Sequence, residues 1–404
     1  MEMTRPRWLM AAAIFLALTT PSQAAAQLTG RWRAMLDLAG TGLPFELSFT
    51  RENRQLIARI CNGPYCTDRA AVTVRGEEVE FDIADYAARI SAEQRGDSLE
   101  GRYHNVGRGG PRSIPFRASR GEWATGKGPE PLLGEWDAWF ITEARRSPRV
   151  LVLQNGESGL EGGVISNTGD LGRFVGRAAG DSFFVARFDG ISVYVLAGRL
   201  SGDTLRGTFH AGLRTQTPFV AVRSSGAAHL TPPTVLTSAD TTNPFRFSFA
   251  DLTGQVVTQD DPRFKGKVVL VDIFGSWCVT CHDATPDLIR FWEQYRSKGF
   301  EILGIGYEVT GDSAADNLQI RRFRDKFAIP WTLLYGGVSV VEETAATLPQ
   351  LRGFTAYPTT LFLGRDGRIR QVYAGFRGPA SGAQHARQLE DYRTIIERLL
   401  AEPE

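Results

Sequence analysis

Hydrophobic and polar residues alternate in short runs through the first half of the chain. Residues 45–49 and 79–83 place an apolar side chain at every second position, and residues 182–186 and 193–196 form further short apolar runs between Gly-rich segments. Such alternation, interrupted by frequent turn signals, is typical of half-buried antiparallel strands. The pattern predicts an all-β region, built as barrels or sandwiches, up to about Val222.

This half of the chain also repeats itself. Residues 28–32 (LTGRW) recur as 132–136 (LLGEW), and residues 96–104 (GDSLEGRYH) recur as 202–210 (GDTLRGTFH), at offsets of 104 and 106. Because order and spacing are both kept, we expect two tandem copies of one β-domain. We place the copies at residues 27–121 and 131–223. The Gly-x-Trp start of each copy resembles the opening strand of lipocalin-like barrels, and we expect the copies to serve in binding or recruitment.

The hydrophobic period changes after a stretch rich in Ser, Thr, Ala and Pro. That stretch, residues 224–243, predicts a linker. A continuous apolar run at 268–273 then predicts a buried strand, and a helix, a strand, a polar helix, a hairpin and a closing helix follow it. Strands that alternate with helices predict an α/β domain with a mixed sheet over residues 244–404.

The N-terminus has the pattern of a secretory signal peptide. Arg5 and Arg7 precede an apolar stretch over residues 8–18, and three alanines at 24–26 provide a small-residue cleavage site. Eleven apolar residues are too few to span a bilayer, which needs about 20. We therefore expect residues 1–26 to be removed and the mature chain to be periplasmic or otherwise exported, without a membrane span.

Composition and charge narrow the classes of partner. The 404 residues are 42% hydrophobic and 23% charged, with a formal net charge of +1. These values are ordinary for a soluble globular protein, and the length predicts two or three domains. The chain has no Lys- or Arg-rich run that would indicate nucleic acid as a partner.

Export affects the interpretation of the four cysteines. Exported chains usually join paired cysteines in disulfides. Cys61 and Cys66 flank a turn sequence at residues 62–65, so we expect a local structural disulfide. No second Cys/His pair lies nearby, and no metal site is expected.

Cys278 and Cys281 lie one helical turn apart, where the predicted strand ends and a helix begins. The N–H groups and dipole of a helix N-terminus favour a thiolate at the first position. We expect Cys278 to attack disulfides and Cys281 to resolve the mixed disulfide. Asp272 is expected to carry the proton of Cys281 as a buried carboxyl with a raised pKa. The alternative for Asp272 is a strand-end residue bonded to a backbone N–H.

Four features in order resemble the thioredoxin superfamily, and within it the exported TlpA/ResA-like thiol-disulfide oxidoreductases. Asp272 precedes Cys278 by six residues, a Trp-Cys-x-x-Cys motif opens the helix, Pro286 follows five residues after Cys281, and a Pro-Thr-Thr run starts at Pro358. The resemblance covers about residues 245–400. It implies a redox-active disulfide in place of a cofactor, protein thiol or disulfide substrates, and a membrane-linked electron donor.

The same resemblance implies three substrate-binding residues. Pro358 would be cis and would place the Tyr357 backbone opposite the sulfurs, where it can pair with an extended substrate segment. Trp277 would pack beside the site or face the substrate. Glu308, at the end of the next strand, either approaches the cleft or is a solvated strand-end residue. His282 is expected to be exposed on the helix.

Two departures from the family pattern leave the redox direction open. Ala284 stands where ResA-like members often carry a glutamate, and the dipeptide 279–280 is Val-Thr, unlike the Gly-Pro of reductants or the Pro-His of strong oxidants. The favoured function is an exported reductant of protein disulfides. The alternatives are a disulfide isomerase, or a non-catalytic ligand-binding or redox-sensing protein that uses the β-domains.

Overall fold

The computed structural model describes residues 27–107, 110–226 and 229–403. The predicted signal peptide, residues 1–26, lies outside the described residues. Within the described ranges, no helix has both the length and the apolar composition needed to cross a bilayer.

Antiparallel strands form the first repeat copy. They are β1 (Gly30–Leu38), β2 (Thr41–Glu52), β3 (Gln55–Asn62), β4 (Tyr65–Cys66), β5 (Ala70–Arg75), β6 (Glu78–Ile83), β7 (Ala88–Arg95), β8 (Ser98–Gly107) and β9 (Gly110–Arg120). The strand order is β2-β1-β9-β8-β7-β6-β5-β3, and β3 pairs back with β2, so the sheet closes into a barrel to which β4 is attached. A 3₁₀ turn, Ala84–Tyr86, follows β6.

The second repeat copy is also a closed antiparallel barrel. Its strands in order are β10 (Gly134–Ile141), β11 (Arg146–Gly156), β12 (Gly159–Ser166), β13 (Gly169–Ala179), β14 (Ser182–Phe188), β15 (Val193–Ser201), β16 (Thr204–Ala211) and β17 (Thr215–Arg223). A 3₁₀ turn, Glu130–Leu132, precedes it.

The Gly-x-Trp repeat has the same physical role in both barrels. Trp32 and Trp136 are buried in the barrel interiors. The indole N–H of Trp32 donates to the Leu28 carbonyl at 2.8 Å, and that of Trp136 donates to the Leu132 carbonyl at 3.1 Å. A buried indole needs such a partner, and in each copy it fixes the segment that leads into the first strand.

The two barrels share a packed interface. The side chain of Asn62 accepts from the Phe188 N–H at 3.0 Å and donates to the Phe188 carbonyl at 2.7 Å. The Tyr103 hydroxyl donates to the Gly190 carbonyl at 2.7 Å. Phe188 also belongs to the apolar cluster that fills the first barrel. These contacts join the copies into one unit.

The C-terminal domain is an α/β layer structure. Its elements are β18 (Ser238–Ala239), β19 (Ser248–Asp251), β20 (Val256–Thr258), β21 (Val268–Phe274), α1 (Val279–Tyr295), β22 (Phe300–Glu308), α2 (Ser313–Phe327), β23 (Thr332–Val338), α3 (Val341–Thr347), β24 (Leu351–Arg352), β25 (Thr359–Leu363), β26 (Ile369–Ala374) and α4 (Ala383–Leu400), with 3₁₀ turns at Arg296–Lys298 and Pro379–Ser381. The predicted fold class, two tandem all-β domains followed by an α/β domain, is confirmed.

Strand β21 is an interior strand of the C-terminal sheet. The sheet order is β20-β19-β23-β22-β21-β25-β26, with β22 parallel and β25 antiparallel to β21. Every residue of β21 is buried, which explains its unbroken apolar run. The carboxyl end of this strand delivers the chain to the start of α1.

Residues 224–243, predicted to form a linker, pack in part against the C-terminal domain. Ser238 and Ala239 pair with Arg352 and Leu351 as a short two-stranded sheet. The Pro233 carbonyl accepts from the Ala374 N–H at 3.0 Å. This stretch therefore holds the second barrel close to the C-terminal domain.

Candidate active site

Cys278 occupies the N-cap position of α1. Its N–H donates to the Gly275 carbonyl at 3.0 Å, and its Sγ accepts from the Cys281 N–H at 3.3 Å. Cys278 and Cys281 are free thiols, 6% and 1% exposed. The first sulfur therefore meets the unpaired N–H groups of a helix N-terminus.

Cys281 is held in its protonated form. Burial raises the pKa of its thiol well above the ordinary value, and the hydrogen bond and negative charge of Cys278 and the charge of Asp272 raise it further. A thiol in this state needs a base before it can attack a disulfide.

Asp272 is a buried carboxyl whose charge acts on the Cys281 thiol. It lies on β21 and is 4% exposed, and its Oδ1 has no hydrogen-bond partner among the described residues. Burial raises the pKa of Asp272 from 3.8 to about 7. A carboxyl that titrates near neutrality can both accept and return a proton during turnover.

The Tyr357–Pro358 loop faces the first sulfur. The peptide bond between the two residues is cis, and the Tyr357 carbonyl accepts from Cys278 Sγ at 3.5 Å. The Trp277 ring packs edge-on against the Tyr357 ring at 5.3 Å, and its indole N–H donates to the Tyr307 carbonyl at 2.8 Å. The structure thus brings the predicted site residues of the C-terminal domain together.

The other predicted pair lies in the first barrel. A disulfide joins Cys61 to Cys66 across a five-residue separation, and the two residues face each other in the β3–β4 pairing. It staples a hairpin and contributes no thiol to the site at Cys278.

Glu308 is a buried part of the site. It is 1% exposed and accepts from the Ser276 N–H at 2.8 Å and from the Ser276 hydroxyl at 2.7 Å. Burial raises the pKa of Glu308 to about 8. The sequence indicated its position at a strand end, and the structure shows that it holds the loop that leads into Cys278.

His282 is buried, so the expectation of an exposed helix residue was wrong. Its ring lies 5.0 Å from the ring of Tyr86 in the first barrel and 4.9 Å from that of Phe323 in α2. Its Nε2 is bonded to the Ser276 carbonyl at 2.7 Å. Burial, with the charge of Lys326, lowers the pKa of His282 to about 4, so the ring is neutral at physiological pH.

Asp283, a carboxyl on α1, faces the second barrel. Oδ2 of Asp283 and Oδ2 of Asp170 lie 2.9 and 3.1 Å from the point that a Cβ at Gly378 would occupy. Burial raises the pKa of Asp283 to about 7, against the nearby Arg187. No local pattern in the sequence relates these residues, because they meet only through domain packing.

The donor set of the site is a dithiol with neighbouring carboxyls. Across residues 27–107, 110–226 and 229–403, no group of three or more His, Cys, Asp or Glu side chains could hold a metal ion. The geometry presents the two sulfurs of Cys278 and Cys281 as the reacting atoms.

Comparisons with known proteins match the C-terminal region of the chain. Residues 238–386 match the Redoxin family model. The thiol-disulfide oxidoreductase ResA of Bacillus thuringiensis subsp. konkukian is 29% identical over 146 residues, which cover 36% of this chain and 72% of the relative. ResA of Geobacillus thermodenitrificans is 22% identical over 144 residues, which cover 36% of this chain and 74% of the relative.

Solved structures with a similar region include two thiol-disulfide proteins. A thioredoxin family thiol:disulfide interchange protein from Chlorobium tepidum has a TM-score of 0.31 at 19% identity, over 41% of this chain and 99% of that chain. A secreted thiol-disulfide isomerase from Corynebacterium glutamicum has a TM-score of 0.32 at 21% identity, over 43% of this chain and 96% of that chain.

Proposed function

Because the C-terminal domain belongs to the thioredoxin superfamily and is a thiol-disulfide oxidoreductase, we propose that this chain reduces protein disulfides outside the cytoplasm through Cys278 and Cys281. The observation that carries the proposal is the arrangement of the buried thiol of Cys281 and the buried carboxyl of Asp272 behind a helix-capping Cys278.

The reaction proceeds in two exchanges. The Cys278 thiolate attacks one substrate sulfur, the substrate S–S bond breaks, and the first substrate thiol leaves with a proton from solvent. Cys281 then gives its proton to Asp272 and attacks Cys278 Sγ. The Cys278–Cys281 disulfide forms, the mixed disulfide breaks, and the second substrate sulfur leaves with the proton that Asp272 returns. The substrate has then gained two electrons from the dithiol. A membrane-linked electron donor would restore the dithiol.

Substrate contacts come from the residues that border the first sulfur. The Tyr357 carbonyl lies 3.5 Å from Cys278 Sγ, and Trp277 packs against the Tyr357 ring. An extended substrate segment aligned along this loop would bring its disulfide to the thiolate. Pro358 restricts the backbone of this loop and so helps to hold the Tyr357 carbonyl toward Cys278.

Turnover with a short flexible peptide closed by one disulfide tests the proposal. The protein should accelerate the reduction of the peptide by dithiothreitol, Cys278→Ser should abolish the acceleration, and Cys281→Ser should accumulate a mixed disulfide with the peptide. The double variant Cys61→Ala/Cys66→Ala is the matched control and should keep the rate. Unchanged activity in Cys278→Ser would overturn the proposal.

The redox direction has its own measurement. A reduction potential of the Cys278–Cys281 pair near about −270 mV is expected for a reductant, whereas a value near about −120 mV is that of an oxidant. Equilibration with glutathione buffers, read by mass spectrometry of alkylated thiols, gives this potential.

A further inference from the structure

The second barrel lies against the loop that borders the redox site. The turn between β12 and β13 ends at Gly169, which forms a parallel bridge with Phe376. The adjacent Gly375 N–H donates to the Pro358 carbonyl at 2.7 Å. The turn therefore lies beside the segment 375–376, which is itself hydrogen-bonded to the Tyr357–Pro358 loop.

This contact is made by backbone against backbone. A Cβ at Gly375 would lie 1.8 Å from the Thr168 carbonyl oxygen, and a Cβ at Gly169 would lie 2.5 Å from the Phe376 carbonyl oxygen. The Cβ at Gly169 would also lie 3.4 Å from Cγ2 of Thr280, which stands between the two cysteines. Only glycine allows this approach at both positions.

A buried arginine ties the same turn to the catalytic domain. Arg377 is 7% exposed, and its guanidinium donates to the Ser166 carbonyl and, at 3.3 Å, to the Asn167 carbonyl. Hydrogen bonds from a charged donor are stronger than neutral ones. Arg377 therefore holds the turn over the redox site.

The first barrel covers another side of the same helix start. Val279 packs against the apolar cluster of the first barrel, and Lys326 on α2 bonds to Asp85 at 2.6 Å and to Asp68 at 2.8 Å. A cavity of about 370 Å³ lies between the two barrels and the C-terminal domain, and Val279 and His282 are among the residues that line it. A cavity of this size has room for a few side chains.

We propose that the two barrels set the substrate range of the redox site, because the 167–169 turn of the second barrel packs on Gly375 and Phe376, beside Pro358, and the first barrel packs on Val279, beside Cys278. The preferred substrates are disulfides carried on a single flexible peptide segment, and disulfides set in a folded surface are excluded. This rests on the proposed function. A mixed disulfide requires the substrate sulfur to come within about 2 Å of Cys278 Sγ. Cys278 is only 6% exposed, so a flexible segment should reach the sulfur more readily than a disulfide set in a folded surface.

The test compares a flexible disulfide peptide with native insulin, a folded protein. Wild type should reduce the peptide much faster than insulin. Gly169→Val places a Cβ against the Phe376 backbone and should displace the turn. The ratio of insulin to peptide rates should then rise about tenfold, which corresponds to about 1.4 kcal/mol. Gly202→Val is the control, because Gly202 is a turn glycine of the same barrel with φ +57° and nothing within 4 Å of its Cβ.

A second readout does not depend on turnover. In a Cys281→Ser background, Cys278 should react with iodoacetamide but slowly with a 5-kDa polyethylene-glycol maleimide, and Arg377→Gln should speed only the large reagent. Equal wild-type rates on peptide and insulin, or no change in either readout with Gly169→Val and Arg377→Gln, would overturn the inference. If wild type instead shows no peptide reduction that depends on Cys278, the proposed function is overturned.

Discussion

Asp272→Asn should stabilise the protein at alkaline pH while it slows catalysis. Burial raises the pKa of Asp272 in the folded protein to about 7, from 3.8. Between these pH values the folded state keeps a proton that the unfolded chain has released, so stability falls as pH rises, and above pH 7 the loss is constant. A difference of about three pH units corresponds to about 4 kcal/mol.

The asparagine variant is neutral at every pH and escapes this loss. The unfolding free energy of Asp272→Asn minus that of wild type should therefore be near zero at pH 4 and rise to about 4 kcal/mol above pH 8. The substitution sacrifices no hydrogen bond at Oδ1, because that atom has no partner among the described residues. The mixed disulfide should persist longer, since Cys281 loses its proton acceptor.

Amide hydrogen exchange of the Val268–Phe274 strand measures this difference. Variant and wild type are compared at each pH from 5 to 9, so the intrinsic pH dependence of exchange cancels. Asp260→Asn, at an exposed position of the same domain, is the control and should give a flat difference. A difference for Asp272→Asn that does not change with pH would refute the assignment of a buried carboxyl with a raised pKa.

Three further results are expected from the same structure. The raised pKa of Glu308 makes the unfolding free energy of wild type fall as pH rises to about 8, and Glu308→Gln should remove this fall. In urea unfolding, the unfolding free energy of the variant minus that of wild type should therefore grow with pH, and a constant difference would contradict this. Asn62→Ala should cost about 2 kcal/mol, because it leaves the Phe188 N–H and carbonyl without their partner, and an unchanged unfolding midpoint would argue against the barrel interface. Loss of the Cys61–Cys66 disulfide should cost about 2 kcal/mol of unfolding free energy in the first barrel, as expected for a short loop, and a larger loss would indicate a role beyond loop closure.

The sequence predicts what depends on local pattern. Alternation and the recurring Gly-x-Trp motif predict the tandem barrels, since burial of the tryptophans at Trp32 and Trp136 is a property of each copy alone. The same holds for Cys278 at the end of a buried strand, where a strand-to-helix transition is readable from the change of period.

Residues that depend on domain packing escape such reasoning. His282 looks like an exposed helix position, but Tyr86 covers it from nearly two hundred residues away along the chain. Asp283 and Asp170 come together only because the second barrel docks on α1. The sequence carries no periodic signal for a contact between domains, so the cover over the redox site becomes visible only in three dimensions.

Equivalent connections in the two barrels, each following the third strand of its copy, contact different neighbours. Asn62 ends β3 and Ser166 ends β12, 104 positions apart, as are the two repeat starts at residues 28 and 132. The connection after β3 docks on the second barrel through Phe188, and the connection after β12 docks on the catalytic domain through Arg377. The equivalent connections of the two copies therefore make different contacts, and the barrels do not form a symmetric pair. Each copy could diverge at its docking loop independently, toward a disulfide in one and a close-packed glycine in the other.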